Sequence, residues 1–146
     1  MMDNLKEILL DEMNFLLFWN EQEDILELHG KGTVSREVFR GLFEKIIDLI
    51  AAKNATKLII DTQKLVTDDL ESENWLNNYW LPHLLVKTSV RSKATVRPEF
   101  LFNLLSEKRI VRKLMGDIFT DAEFPSWSEA YQWLKMINSK KSIINI

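Results

Sequence analysis

The chain has 146 residues, 46% of them hydrophobic, with five Trp, eight Phe and a net charge of -3. That length suits one domain with its own core, and so many large rings with so little net charge exclude a disordered chain. The absence of Cys excludes disulfides, thiolate metal sites, thiol nucleophiles and redox switches. An excess of 22 acids over 19 bases argues against general nucleic-acid binding, which needs a basic surface.

Acids are interspersed with the apolar residues from Met1 to Asp11, unlike the basic start and apolar run of a signal peptide. No stretch approaches the roughly 18 apolar residues of a membrane span. A cytoplasmic protein without integral membrane association is expected. Charge is unevenly spread: Met1 to Lys31 holds eight acids and two bases, Lys87 to Lys113 eight bases and two acids. Faces of opposite sign meeting across the fold are the expectation, with a charged docking surface as the alternative.

In chain order, Phe15–Trp19 and Ile25–His29 are short aromatic-rich runs around an acidic turn, which predicts a β-hairpin, with Ile8–Leu10 as an added edge strand. Gly30 and Gly32 punctuate the chain and Ser35 is placed to cap a helix, in which Phe39, Leu42, Phe43, Ile46, Ile47, Leu49 and Ile50 form an apolar stripe. Asn54 is its expected stop, and Leu58-Ile59-Ile60 reads as a buried central strand. A second helix is predicted from Thr67 or Asp68, with Asp68 and Glu71 at capping-box spacing, through Trp75, Leu76, Tyr79 and Trp80 until Pro82 kinks or ends it.

Ala94-Thr95-Val96 reads as a further strand, followed by a helix from Pro98 to about Met115 that Gly116 closes. Asp117–Thr120 is a last short strand, and Ser126 with Glu129 predicts a capped final helix carrying Trp127, Ala130, Trp133, Leu134 and Ile137. A frayed tail follows Asn138. The expected fold class is α/β: a mixed β-sheet with an N-terminal β-hairpin, then alternating helix and strand, packed with about four α-helices. One domain over 1–146, with its core over about 13–137, is expected.

Gly30-Lys31-Gly32 stands where a dinucleotide fingerprint would, but Ser35 replaces its third glycine, and Asp61 lies 31 residues beyond Gly30 against a usual spacing of about 20. Polar Glu27 also departs from the apolar run of a strand covered on both faces. His29 and His83 are too few and too separate for a metal site. Asp68, Asp69, Glu71 and Glu73 lack calcium-loop spacing and suit the start of a helix. No Ser lies in a nucleophile elbow, so the expectation is a protein that is not an enzyme and uses no cofactor. Trp75, Tyr79 and Trp80 with Pro82 and His83 are the most distinctive local group, read either as core packing or as a pocket or interface lining. Lys108, Arg109, Arg112 and Lys113 read as a solvated basic helix face.

Taken together, Leu28-His29-Gly30-Lys31-Gly32, the helix from Ser35, Leu58-Ile59-Ile60-Asp61, Trp80-Leu81-Pro82, Ala94-Thr95-Val96 and the closing Phe124–Leu134 segment resemble bacterial proteins of the STAS type. These have the SpoIIAA-like, anti-sigma-factor-antagonist fold, related in topology to lipid-binding Sec14-like domains. Antagonists of that family carry a phosphorylatable Ser in an Asp-Ser-Ser-Gly turn after the central strand. This chain has Asp61-Thr62-Gln63-Lys64-Leu65 there, which leaves Thr62 or Thr67 as the hydroxyls for a phosphate. The resemblance implies a binding or regulatory module whose partner is a protein, or itself as a homodimer. A small-molecule or lipid carrier is the alternative. The candidate interaction or pocket residues are Asp61, Thr62, Trp75, Tyr79, Trp80 and His83.

Overall fold

The computed structural model describes residues 6–12, 14–66, 70–98, 111–114 and 118–137. Its centre is a seven-stranded sheet ordered β1-β2-β3-β4-β5-β7-β6. The strands are β1 (Glu7–Glu12), β2 (Phe15–Asn20), β3 (Ile25–Thr33), β4 (Lys57–Val66), β5 (Ser92–Val96), β6 (Val111–Leu114) and β7 (Phe119–Phe124). β3, β4, β5 and β7 are mutually parallel, while β1, β2 and β6 join antiparallel. The helices are α1 (Arg36–Lys53), α2 (Leu70–Trp75), α3 (Leu81–Lys87) and α4 (Trp127–Met136), with a π turn at Leu76–Trp80 that joins α2 to α3 as one rod. The mixed sheet, N-terminal hairpin and alternation of helix and strand expected from the sequence are present.

α1 begins where Ser35 Oγ accepts from the Val38 amide and ends at Asn54, whose φ of 57° is left-handed, the conformation in which Asn closes helices. α4 starts the same way, with Ser126 Oγ accepting from the Glu129 amide. Each covers one face of the sheet. α1 and the α2–α3 rod enclose Leu17, Leu26, Leu28, Leu58, Ile60, Trp80, Leu84 and Phe119, while α4 encloses Ile25, Ile59, Ala94, Val96, Ala122 and Phe124. The alternation of these residues along β3, β4 and β5 explains why the inner parallel strands read as apolar runs. Both crossovers, β3–α1–β4 and β4–α2–α3–β5, join parallel neighbours, so α1 and the rod return along the same face in the same direction.

Several expectations are corrected. β4 continues past Ile60 to Val66, because β3 also extends, and Lys31, Gly32 and Thr33 pair with Lys64, Leu65 and Val66 after a register shift. The segment read as the end of a helix at 111–114 is instead β6, held by pairing Val111 with Ala122 and Leu114 with Phe119. Ladder partners on β7 outweigh the helix propensity of this basic stretch. The last strand runs to Phe124. Pro82 does not end the helix: the Leu81 amide donates to the Leu76 carbonyl, and this wide turn makes room where the proline ring would meet the Asn78 carbonyl.

Glu27 is buried in β3, not exposed. The two charged stretches do not pair with each other in the ion pairs seen: Lys6 meets Glu27 within the first stretch, and others join Lys53 with Glu7, Lys45 with Glu12, Lys93 with Asp121 and Arg97 with Glu123. The helix start at Thr67–Asp69, Lys108, Arg109 and the tail after Asn138 lie outside the described residues, as do the side chains of Arg112 and Lys113. Gly30 is required by close approach, since a Cβ there would stand 2.8 Å from Phe15 Cε1, inside a packed core that cannot give way cheaply.

Candidate functional site

The predicted site residues separate into two places. Trp75, Tyr79, Trp80 and His83 lie on the α2–α3 rod, where four-residue spacing puts Trp75, Tyr79 and His83 on one stripe. Their rings form a ladder, Trp75 stacked with Tyr79 at 5.4 Å and Tyr79 tilted against His83 at 4.6 Å. The His83 Nδ1–H donates to the Tyr79 carbonyl at 3.2 Å, which fixes the lower end of the ladder. Trp80 points the other way. It is 1% exposed, meets Phe43 edge-on at 5.1 Å, and its Nε1–H donates to the Phe43 carbonyl at 2.6 Å.

Between this stripe and α1 runs an open groove of about 520 Å³, lined on the rod by Tyr79, His83 and the edge of Trp80, and on α1 by Gly41, Glu44 and Asp48. The α1 side was not singled out from sequence. Its signal was there in the i, i+3, i+7 spacing of Gly41, Glu44 and Asp48 on the polar face of a strongly striped helix. A Cβ on Gly41 would meet nothing within 4 Å, so packing within the chain does not demand glycine there, although mid-helix glycine costs about 1 kcal/mol relative to Ala.

Asp61 and Thr62 lie elsewhere, midway along β4, at the level where the neighbouring β5 ends at Val96. Asp61 pairs in register with His29, and its Oδ2 lies 3.6 Å from His29 Nδ1. The imidazole is stacked on Trp127 at 4.8 Å and approached edge-on by Phe18 at 5.8 Å. Thr62 Oγ1 donates to the Val96 carbonyl at 2.7 Å, which ties β4 to β5 and occupies the hydroxyl. The sequence sets His29 aside as a metal ligand and does not pair it with Asp61. Among the described residues no group of three His, Asp or Glu side chains converges.

Burial alone would push the Asp61 carboxyl up, but the His29 contact, the Gln63 amide and the charges of His29 and Lys64 hold it below the ordinary carboxylate range. A depressed folded-state pKa gives stability that is present above the unfolded value of about 4 and is lost as the pH falls through the folded value. Urea unfolding from neutral pH into the acid range is therefore expected to show a shallower acid loss for Asp61→Asn than for the natural chain. Superimposable acid limbs would remove this role from the pair.

No family model matches the sequence. No curated protein matches it either. Among solved structures, the chain is similar to an uncharacterized protein from the DUF3478 family with a SpoIIAA-like fold, from Shewanella loihica PV-4, at 16% identity over 92% of this chain and 98% of that one, with a TM-score of 0.44. Among the described residues no helix is long and apolar enough to cross a membrane.

Proposed function

We propose that the chain is a non-enzymatic binding module of STAS type that docks a partner protein in the groove between α1 and the α2–α3 rod. The observation that carries this reading is the ring ladder Trp75–Tyr79–His83, with Tyr79 left 44% exposed at an open groove. Exposed rings anchored on a rigid helix present contact area at low entropic cost, as interface anchors do. The π turn that sets them is a device found frequently at functional sites. A carrier of lipid or small molecules would need a concave site enclosing most of its ligand. The groove is open along its length, and Trp80 is occupied by the core, so protein docking is the better fit.

The test places a photo-crosslinking amino acid at Tyr79, and at Met136 on the opposite face of the sheet as a control, in the chain expressed in its own cells. A discrete protein adduct, including a second copy of this chain, is expected from the Tyr79 position alone. Equal adducts from both positions, or none, would remove the groove as the docking site. A native mass raised by a few hundred daltons with no protein adduct would transfer the function to a small ligand.

A further inference from the structure

Because α1 and the α2–α3 rod run in the same direction, their side chains advance in step along the groove. Arg40, Glu44 and Asp48 recur every four residues on α1, a step of about 6 Å, and Trp75, Tyr79 and His83 every four on the rod, with ring centroids 5.4 and 4.6 Å apart. The first rung is closed within the molecule: the Arg40 guanidinium lies over the Trp75 ring, 5.4 Å from its centroid. Along the next two rungs the groove is lined by Glu44 and Asp48 on one wall and by Tyr79 and His83 on the other. Neither carboxylate has a cationic partner among the described residues, and both are exposed. Lys45, also on the α1 wall, is engaged by Glu12 at 3.0 Å, and Lys87 closes the far end.

From this juxtaposition we infer that the groove receives a basic segment of a partner protein, with two Lys or Arg side chains about 6 Å apart, their heads on Glu44 and Asp48 and their stems along the edges of Tyr79 and His83. The inference rests on the groove being the docking site and adds the chemistry of its occupant. The two carboxylates favour a cation over an acidic segment, because an acid there would meet Glu44 and Asp48 directly, and the ring edges favour a long side chain whose apolar stem can cover them. Two positions suffice, since Lys87 repels a third cation. Alternate residues of an extended segment are spaced closely enough to match two rungs.

The probe is a capped hexapeptide carrying two arginines separated by one serine, titrated at low salt into the full chain while the ring protons of Tyr79 and His83 are followed by NMR. Their resonances are expected to move, with affinity falling about tenfold in the Glu44→Gln, Asp48→Asn double variant and again on raising the salt. The same peptide with glutamates in place of arginines is expected not to bind. Asp11→Asn on β1, outside the groove, controls for general attraction to an acidic protein and should leave affinity unchanged. Equal binding to the double variant, or an equal loss in Asp11→Asn, overturns the inference. If the crosslinker at Tyr79 traps a protein while the arginine peptide does not bind, docking stands and the basic chemistry falls. If neither binds, both fall.

Discussion

Replacing Lys6 with Met is expected to destabilise the fold by about 2 kcal/mol, less than for a fully buried ion pair because Lys6 itself is 38% exposed. Glu27 is 1% exposed on the face of the sheet that α4 covers, and the Lys6 ammonium, at 2.9 Å, neutralises it. The Asn20 amide adds a hydrogen bond at 3.3 Å and reaches on to the Tyr131 hydroxyl at 3.1 Å. Burial, then the charges of Glu27 and Glu23, push the Tyr131 hydroxyl up against the lowering effect of that Asn20 contact, so the negative charge of Glu27 is felt across the layer. Without Lys6 a charge would remain inside with only an amide to solvate it. The double variant Lys6→Met, Glu27→Leu is expected to recover most of the loss, because both charges leave together. Urea titrations of the two single variants and the double variant complete the cycle. A cost below about 1 kcal/mol for Lys6→Met would mean that water reaches Glu27 in solution.

Trp80→Ala is expected to cost about 4 kcal/mol, the range for removing a fully buried large ring. The indole fills the space between α1 and the rod, edge-on to Phe43, and its N–H donates to the Phe43 carbonyl. Trp80→Phe keeps most of the volume and removes the donor, for which about 2 kcal/mol is expected. Thermal unfolding of the two variants separates the packing part from the polar part. Equal losses would show that the hydrogen bond, not the ring volume, joins the helices. Tyr79→Ala, on the exposed neighbour, is expected to change stability by far less while removing the central ring of the proposed docking site. That contrast separates two adjacent aromatic residues that the sequence presents alike.

Much of the fold was legible because its signals are local. The stripe of α1, its Ser35 and Asn54 boundaries, the Ser126 cap of α4 and the central strand at Leu58–Ile60 all follow from periodicity and capping chemistry, which act within a few residues. The departures arise where distant segments compete for the same backbone. Residues 111–114 satisfy a helix pattern, yet the free side of β7 offers them a ladder as the edge strand, and pairing decides. Glu27 reads as a polar break in an apolar strand until Lys6 and Asn20 are brought against it inside the layer. Pro82 reads as a helix end until the preceding turn is seen to widen.

The candidate site divides along the same line. That Trp75, Tyr79 and His83 share one stripe is a consequence of helical spacing and was available from the sequence. That Trp80 belongs to the core, and that the ladder faces Gly41, Glu44 and Asp48, depends on two parallel crossovers that lay α1 and the rod side by side. The pairing of His29 with Asp61 likewise follows from the register of β3 against β4, which no local pattern encodes. By itself the sequence determined the α/β class, the helix limits set by caps and the absence of cysteine chemistry, since each depends on a residue and its near neighbours. Tertiary structure alone decided which aromatic ring is core and which is surface, and which acids line the groove, because those outcomes depend on segments far apart in the chain packing against one another.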